Sequence, residues 1–304
     1  MSKPLLVLMD DNRPLFETML SSLDYEACEL EWRQFPDGET WLNVPSECQG
    51  RDVVIQCALN DPDTKLLRLL FLVENLREMG ARRIGLVAPY LAYMRQDDRF
   101  SPGEAVTSRY VAHMLSTCFD WLVTVDPHLH RFHSLNELYQ LESVALSACH
   151  AIAPWMMKKV AKPVLIGPDE ESEQWVKAVA ELSGAPYLVL AKERYGDRDV
   201  NVGLADSAEQ ASRLAEYRDH TPVLIDDIVS TGSTILQAAR LLQENDCKPA
   251  VCIVIHPLFA GRAMQALQEG YVDTVISCNT IRHESNQIDL TESIVSAVRD
   301  MAVR

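Results

Sequence analysis

A chain of 304 residues, 47% apolar and 24% charged, can bury the cores of two domains or one large one and has the composition of a soluble globular protein. A formal net charge of −16 argues against nonspecific nucleic-acid binding, which needs clustered Lys and Arg, but leaves room for a small anionic substrate in a locally positive pocket. No apolar run approaches membrane-spanning length, and the eight cysteines form no Cys-x-x-Cys pair, so buried thiols in a reducing cytoplasm are expected.

The apolar run near the start ends in Asp10 and reads as a first strand, not a signal peptide. Phe35-Pro-Asp-Gly-Glu39 is by itself a turn signal, with Gly38 free to take a positive φ. Val53–Gln56, Ile84–Val87 and Trp121–Val125 read as strands; between the first two, Leu66, Leu69, Leu70, Val73 and Leu76 form a helical stripe that Gly80 closes. Ala88 to Arg99 follows a strand directly. It offers aromatic surface at Tyr90 and Tyr93, the guanidinium of Arg95 and the amide of Gln96 at a sheet's carboxyl edge, where open α/β sheets bind ligands. Arg95 could clamp phosphate oxygens with two N–H bonds; a solvated charged loop is the alternative. Ser101 to Ser108 reads as a mobile turn entering a helix, with Thr107 or Ser108 near its cap. Asp126, His128, His130 and His133 resemble a metal cluster on paper, although Asp126-Pro127 also ends the strand for conformational reasons. His128 is taken as functional, His130 and His133 as surface or packing residues.

The rhythm restarts near residue 150, with strands expected at Val164–Ile166, Tyr187–Leu190, Val223–Ile225, Val251–Ile255 and Val272–Ser277. Such βαβ alternation implies mostly parallel sheets flanked by helices, in two α/β domains of similar plan (1–147 and 148–304), though no residue identity proves a repeat. The last helix could pack back on the first domain. Asp169 lies in an acidic group just past a strand, where an acidic helix start is an equal alternative to a ligand role. Lys192 and Arg194 share one face of an extended end; their repulsion points to an anion between them, and a solvated basic turn is the alternative. Residues 201–220, polar and charge-rich, are the expected mobile loop.

The densest chemistry is in Val223 to Ile235. A short buried strand leads into Asp226 and Asp227, then a small-residue turn of Ser230, Thr231, Gly232, Ser233 and Thr234, then a helix with Ile235, Ala238, Ala239 and Leu242 on one face. That order suits a phosphorylated sugar: backbone N–H groups and the helix N-terminus hold a phosphate, and the carboxylates accept from hydroxyls.

Asp226 to Thr234 resembles the phosphoribosyl diphosphate (PRPP) loop of type I phosphoribosyltransferase folds. Phe-Pro-Asp-Gly-Glu, Pro-Tyr-x-x-Tyr-x-Arg-Gln-Asp, Asp-x-His, Pro-Asp, Lys-Glu-Arg and this loop follow one another as they do in ribose-phosphate diphosphokinases, over nearly the whole chain. The resemblance implies two tandem phosphoribosyltransferase-like domains and transfer of the diphosphoryl group of ATP to the 1-hydroxyl of ribose 5-phosphate, giving PRPP and AMP. It implies Mg²⁺, a cytoplasmic homo-oligomer, and no nucleic-acid or membrane partner. Phe35, Asp37 and Glu39 would contact the nucleoside of ATP across a subunit interface, and Arg95 and Gln96 would hold ATP. His128 and Asp169 would meet the metal–ATP complex. Lys192 and Arg194 would stabilise charge on the transferring group. Asp226 and Asp227 would bind ribose hydroxyls, directly or through a metal, with Ser230 to Thr234 around the 5-phosphate. The chain departs from many bacterial and animal members at Ser230 and Ser233, after Arg-Gln-Asp, and at Asp169, where Pro-Asp-Glu-Glu replaces Pro-Asp-x-Gly-Gly; the stretch 98–108 looks closer to archaeal members. The alternatives are a PRPP-consuming phosphoribosyltransferase and an inactive synthase-like regulatory subunit.

Overall fold

The computed structural model describes residues 2–99, 101–195, 199–203 and 213–303, with backbone alone at 191–195 and 199–203. Contacts divide the chain into two units, Met1–Leu146 with Thr280–Arg282 and Thr291–Arg304, and Ser147–Asn279 with His283–Leu290.

The first unit is built on strands β1 (Leu5–Leu8), β2 (Glu26–Cys28), β3 (Glu31–Gln34), β4 (Thr40–Asn43), β5 (Asp52–Gln56), β6 (Arg83–Ala88), β7 (Trp121–Val125) and β8 (Glu142–Leu146), with helices α1 (Arg13–Ser22), α2 (Pro62–Glu78) and α3 (Thr107–Cys118). Six strands form one parallel sheet in the order β2-β1-β5-β6-β7-β8, while β3 and β4 pair as a separate antiparallel hairpin. The central strands are apolar along their length because helices cover both faces of a parallel sheet; β7 is buried at all five positions. On α2 the buried positions are Leu69, Leu72, Val73 and Leu76. The stripe expected from the sequence is therefore shifted slightly: Leu66 and Leu70 are half-buried and Leu72 joins the core. Gly80, at φ +84°, ends the helix.

The second unit contains α4 (Cys149–Lys159), β9 (Pro163–Gly167), α5 (Glu173–Ser183), β10 (Tyr187–Val189), β11 (Ala191–Tyr195), β12 (Asp199–Gly203), β13 (Thr221–Val229), α6 (Ser233–Glu244), β14 (Ala250–Pro257), α7 (Ala263–Glu269), β15 (Val272–Cys278) and β16 (Asn286–Ile288). Its sheet is also six-stranded and parallel, in the order β10-β9-β13-β14-β15-β16, with β11 and β12 as a separate hairpin. The wiring repeats that of the first unit. In each, the second strand takes the edge beside the first, a hairpin leaves the sheet, and strands three to six are added in order on the other side. The last helix, α8 (Thr291–Val303), belongs to the first unit, where Arg299 Nη2 donates to the carbonyl of Ser22 on α1.

All nine strands read from apolar runs are present, most of them longer by a residue or more than the run itself. The two hairpins, β2, β8 and β16 have no such run and were not expected. The polar segment 201–220 begins in β12 and ends with residues 213–220; its centre lies outside the described residues.

Candidate active site

In the second unit β13 is central, between β9 and β14, and Val223, Leu224 and Ile225 are fully buried. The strand does not stop at the acids. Pairing with β14 continues through Asp226, opposite Val254, to Val229, opposite Pro257. Asp227 N–H donates to Asp226 Oδ1 at 3.0 Å, and Ile228 N–H donates to Asp227 Oδ1 at 2.7 Å, so both carboxylates are oriented by the backbone beneath them. Burial, then the charges of Asp227 and Asp169, push the Asp226 carboxyl well above the usual range. Three carboxyl groups thus converge at the end of neighbouring strands.

Asp169, 6% exposed, follows β9 and begins a short 3₁₀ turn as a capping box: its Oδ1 accepts from Ser172 N at 3.1 Å, and its own N–H donates to Ser172 Oγ at 3.2 Å. The acidic helix start weighed as an alternative is therefore real.

Past Val229 the chain turns through Ser230 to Thr234 into α6. Gly232, at φ +76°, supplies the left-handed residue at the helix start, and a Cβ added there would lie 3.4 Å from the Leu267 side chain. No side chain caps the first turn of α6 and no acid occupies it. Its leading N–H groups and positive dipole end are consequently directed into a loop of hydroxyls, in which Thr231 Oγ1 and Ser233 Oγ lie 3.1 Å apart. The backbone of the next turn braces the loop's entry, Phe259 N–H donating to Val229 O and Ala260 N–H to Ser230 O, each at 2.9 Å.

The same place in the first unit is chemically closed. After β5, Ala58 N–H donates to Asp10 Oδ2 at 2.5 Å, and Lys65 Nζ donates to Ala58 O and Asn60 Oδ1, both at 2.7 Å. Asp61 stands at the N-cap of α2 and Asp63 in its first turn. No side chain bonds to the first turn of α2, but the negative charges of Asp61 and Asp63 lie at its start, so an external anion is disfavoured there.

The first unit instead brings three other segments to its sheet's carboxyl side or beyond. Arg95 and Gln96 are exposed in the turn after β6, where Thr107 Oγ1 donates to Gln96 Oε1 at 2.5 Å and leaves the amide nitrogen as donor. α3 starts at Thr107, next to Val106 at the N-cap as expected, and no side chain bonds there. Tyr90 is buried, 7% exposed, and packs as core instead of offering aromatic surface; Tyr93 is half-buried with φ +63° and its hydroxyl donates to Asp63. His128 is half-buried after β7, its ring 6.0 Å from that of His130, while His130 and His133 are exposed. Phe35, Asp37 and Glu39 form the tip of the β3–β4 hairpin, closed by Phe35 N–H to Glu39 O at 2.8 Å with Gly38 at φ +93°. Phe35 remains 38% exposed, its ring 4.8 Å from the Arg33 guanidinium.

Lys192 and Arg194 lie two residues apart on β11, opposite Val202 and Val200 of β12. Two features have no sequence signal. Arg131 reaches Asp97 and Asp98, each at 3.5 Å, joining the loops after β7 and β6. Phe259 and Ala260 brace the phosphate-type loop through backbone atoms alone, which no side-chain motif could reveal. Among the described residues no group of three or more His, Cys, Asp or Glu is arranged to hold a metal ion, and none of the eight cysteines is in a disulfide. No helix is long and apolar enough to cross a membrane.

Residues 5–118 match the N-terminal domain of ribose phosphate pyrophosphokinase and residues 136–292 the phosphoribosyl transferase domain. The chain is 34% identical to the ribose-phosphate pyrophosphokinase of Saccharolobus solfataricus over 91% of its length and 94% of that relative. It is 30% identical to that of Methanobrevibacter smithii, with the same shares covered. The fold superposes on the crystal structure of phosphoribosylpyrophosphate synthetase from Mycobacterium smegmatis with a TM-score of 0.84 at 22% identity, over 99% of both chains. With both halves matched and full-length relatives at this identity, the chain belongs to the ribose-phosphate pyrophosphokinase family.

Proposed function

We propose that the chain makes PRPP from ATP and ribose 5-phosphate, and that the two units divide the substrates between them. The 1-hydroxyl oxygen of ribose 5-phosphate attacks the β-phosphorus of ATP. The bond from that phosphorus to the α–β bridging oxygen breaks, AMP leaves with the oxygen, and the hydroxyl proton passes to solvent. The observation that carries the reading is the Asp226-Asp227 pair at the end of a central buried strand, followed by a hydroxyl-rich loop on an uncapped helix N-terminus.

In the second unit Ser230, Thr231, Gly232, Ser233 and Thr234 hold the 5-phosphate, and Asp226 and Asp227 accept from the ribose hydroxyls. Arg95 and Gln96 hold ATP phosphates, with His128 beside them, and Phe35, Asp37 and Glu39 take the nucleoside, from the hairpin of a neighbouring copy in a homo-oligomer. Lys192 and Arg194 donate to the oxygens that gain charge during transfer. Phosphoryl-type transfer needs positioning and charge stabilisation more than a covalent nucleophile, so this set suffices.

The donor set fits Mg²⁺. Carboxylate oxygens are hard ligands, and Mg²⁺ is commonly held by one or two of them together with substrate phosphates instead of by a closed protein cage. The raised Asp226 carboxyl, crowded by Asp227 and Asp169, is the kind of repulsion a cation relieves. Asp169 would hold it; when bound, it would supply charge neutralisation on the diphosphoryl oxygens.

AMP release from ATP, measured with and without ribose 5-phosphate, tests the assignment. AMP formed only with the sugar phosphate, in step with PRPP, is expected. PRPP consumption by an added nucleobase without any ATP requirement, or no turnover at all, would overturn it.

A further inference from the structure

Beside the phosphate-type loop the second unit contains a side-chain relay that no motif announces. Asn286 is fixed by two backbone groups, its Oδ1 accepting from His283 N–H at 2.9 Å and its Nδ2 donating to Cys278 O at 2.8 Å. The same Nδ2 donates to Ser277 Oγ at 2.9 Å, and Ser277 Oγ lies 2.7 Å from Ser285 Oγ. Ser285 Oγ is in turn 2.8 Å from His283 Nδ1, and Ser285 N–H donates to that nitrogen at 3.1 Å. The backbone donor on Nδ1 leaves the ring proton on Nε2. The His283 ring then lies 4.8 Å from that of Phe259.

Phe259 is held at φ +38°, a left-handed conformation that bulky residues adopt only where their surroundings enforce it. Its N–H and that of Ala260 are the groups that bond Val229 and Ser230 at the entry of the loop.

We infer that His283 is a positioning residue for the ribose 5-phosphate loop: held as the neutral Nε2–H tautomer by Ser277, Ser285 and Asn286, it keeps Phe259 in its left-handed conformation and so keeps Val229 and Ser230 in place. The inference rests on the proposed role of Ser230 to Thr234. Protonation would turn Nδ1 from acceptor to donor against the Ser285 N–H and break the relay. The charged group facing the ring is Glu284; Ser277, Ser285, Asn286 and Phe259, which pack against it, carry no charge. Burial moves the protonation of His283 below the ordinary histidine range, so the relay is intact at neutral pH and fails in acid.

The test compares wild type, His283→Leu and His283→Asn, whose carbonyl can stand in for the Nδ1 acceptor, with Thr231→Ala as the control for the loop itself. Affinity for ribose 5-phosphate is measured by calorimetry, and KM and kcat from pH 5 to 8. His283→Leu should raise KM for ribose 5-phosphate by roughly three- to tenfold, the size of one hydrogen bond's net contribution, with kcat and KM for ATP within about twofold. His283→Asn should restore most of the affinity and remove the acid-side rise in KM seen in wild type. If Thr231→Ala weakens the sugar phosphate and His283→Leu does not, or if His283→Asn keeps the wild-type acid limb, the positioning role is wrong. If Thr231→Ala also leaves sugar-phosphate affinity unchanged, the loop assignment itself fails.

Discussion

Arg131 Nε stands 3.5 Å from Oδ1 of Asp97, and the same guanidinium is 3.5 Å from Asp98 through Nη1. Asp97 is 7% exposed and its other oxygen, Oδ2, is buried without a hydrogen-bond partner. A buried carboxylate in that state depends on its cation. The pair also fixes the spacing between the two loops that carry Arg95 with Gln96 and His128, the proposed ATP ligands.

Arg131→Met should therefore raise KM for ATP by about tenfold, equivalent to ~1.4 kcal/mol, and leave KM for ribose 5-phosphate unchanged. Arg131→Lys should recover part of the loss. In the double variant with Asp97→Asn the effects should be clearly less than additive, because the second change removes the charge that the first strands. Steady-state kinetics over both substrates measures this; full additivity would show that the two side chains act separately.

Asp226 carries a prediction about stability and pH. Its folded carboxyl is raised by burial first and by Asp227 and Asp169 next, so its ionised form costs the folded state free energy. The sign follows directly. The folded state binds the proton more tightly than the unfolded chain does, so the cost is absent at acid pH and appears as pH rises through the folded value. Asp226→Asn should raise Tm of the ligand-free protein at pH 7–8 by about 2–4 °C, the shift that ~1 kcal/mol produces in a domain of this size. The gain should shrink toward pH 4, and affinity for ribose 5-phosphate should fall at the same time. Calorimetric melts at several pH values check it, and a variant less stable than wild type at pH 8 would contradict the repulsion.

How much of this is legible in the residues alone follows from where the interactions lie. Val223 to Ile225 and, but for Thr124, Trp121 to Val125 are apolar runs because parallel strands covered on both faces need them, and such runs are visible without a structure. The Asp226-Asp227 loop is legible for a related reason: strand, acids, turn and helix start occupy one uninterrupted stretch. The β3–β4 hairpin is not. All four residues of Glu31–Gln34 are exposed, so no buried face imposes a period of two on them. The repeated wiring of the two sheets leaves no mark in residue identity, since topology depends on the order of buried runs and not on which apolar residues fill them. Arg131 with Asp97, and His283 with Phe259, meet only when separate strands are aligned. Tyr90 misleads in the other direction, because an aromatic beside charged residues looks exposed in sequence yet serves the core.

Gly85 tests packing in the first unit. It lies opposite Trp121 in the β6–β7 register, and a Cβ added to it would fall 2.1 Å from the indole ring, itself only 3% exposed. The ring has no open space to enter, so Gly85→Ala should cost about 1–3 kcal/mol, as overpacked cores do. Denaturant melts should show a lower midpoint with an unchanged m-value. Wild-type stability would mean that Trp121 can rotate away at little cost.

Lys192 and Arg194 carry the prediction closest to the chemistry. They are residues i and i+2 of β11, which leaves the main sheet as a hairpin with β12. The diphosphoryl group gains charge on its oxygens only as the bond to AMP lengthens. Interactions that strengthen at that moment raise kcat more than they tighten binding. Lys192→Ala and Arg194→Ala should each lower kcat by about 10²–10³-fold, the loss seen when one donor to a developing oxyanion is removed. KM for both substrates should change by less than about fivefold, the effect of ~1 kcal/mol. Single-turnover measurements with saturating ATP and ribose 5-phosphate separate chemistry from product release. A variant that keeps its wild-type single-turnover rate and loses only affinity would move that residue from charge stabilisation to ground-state binding.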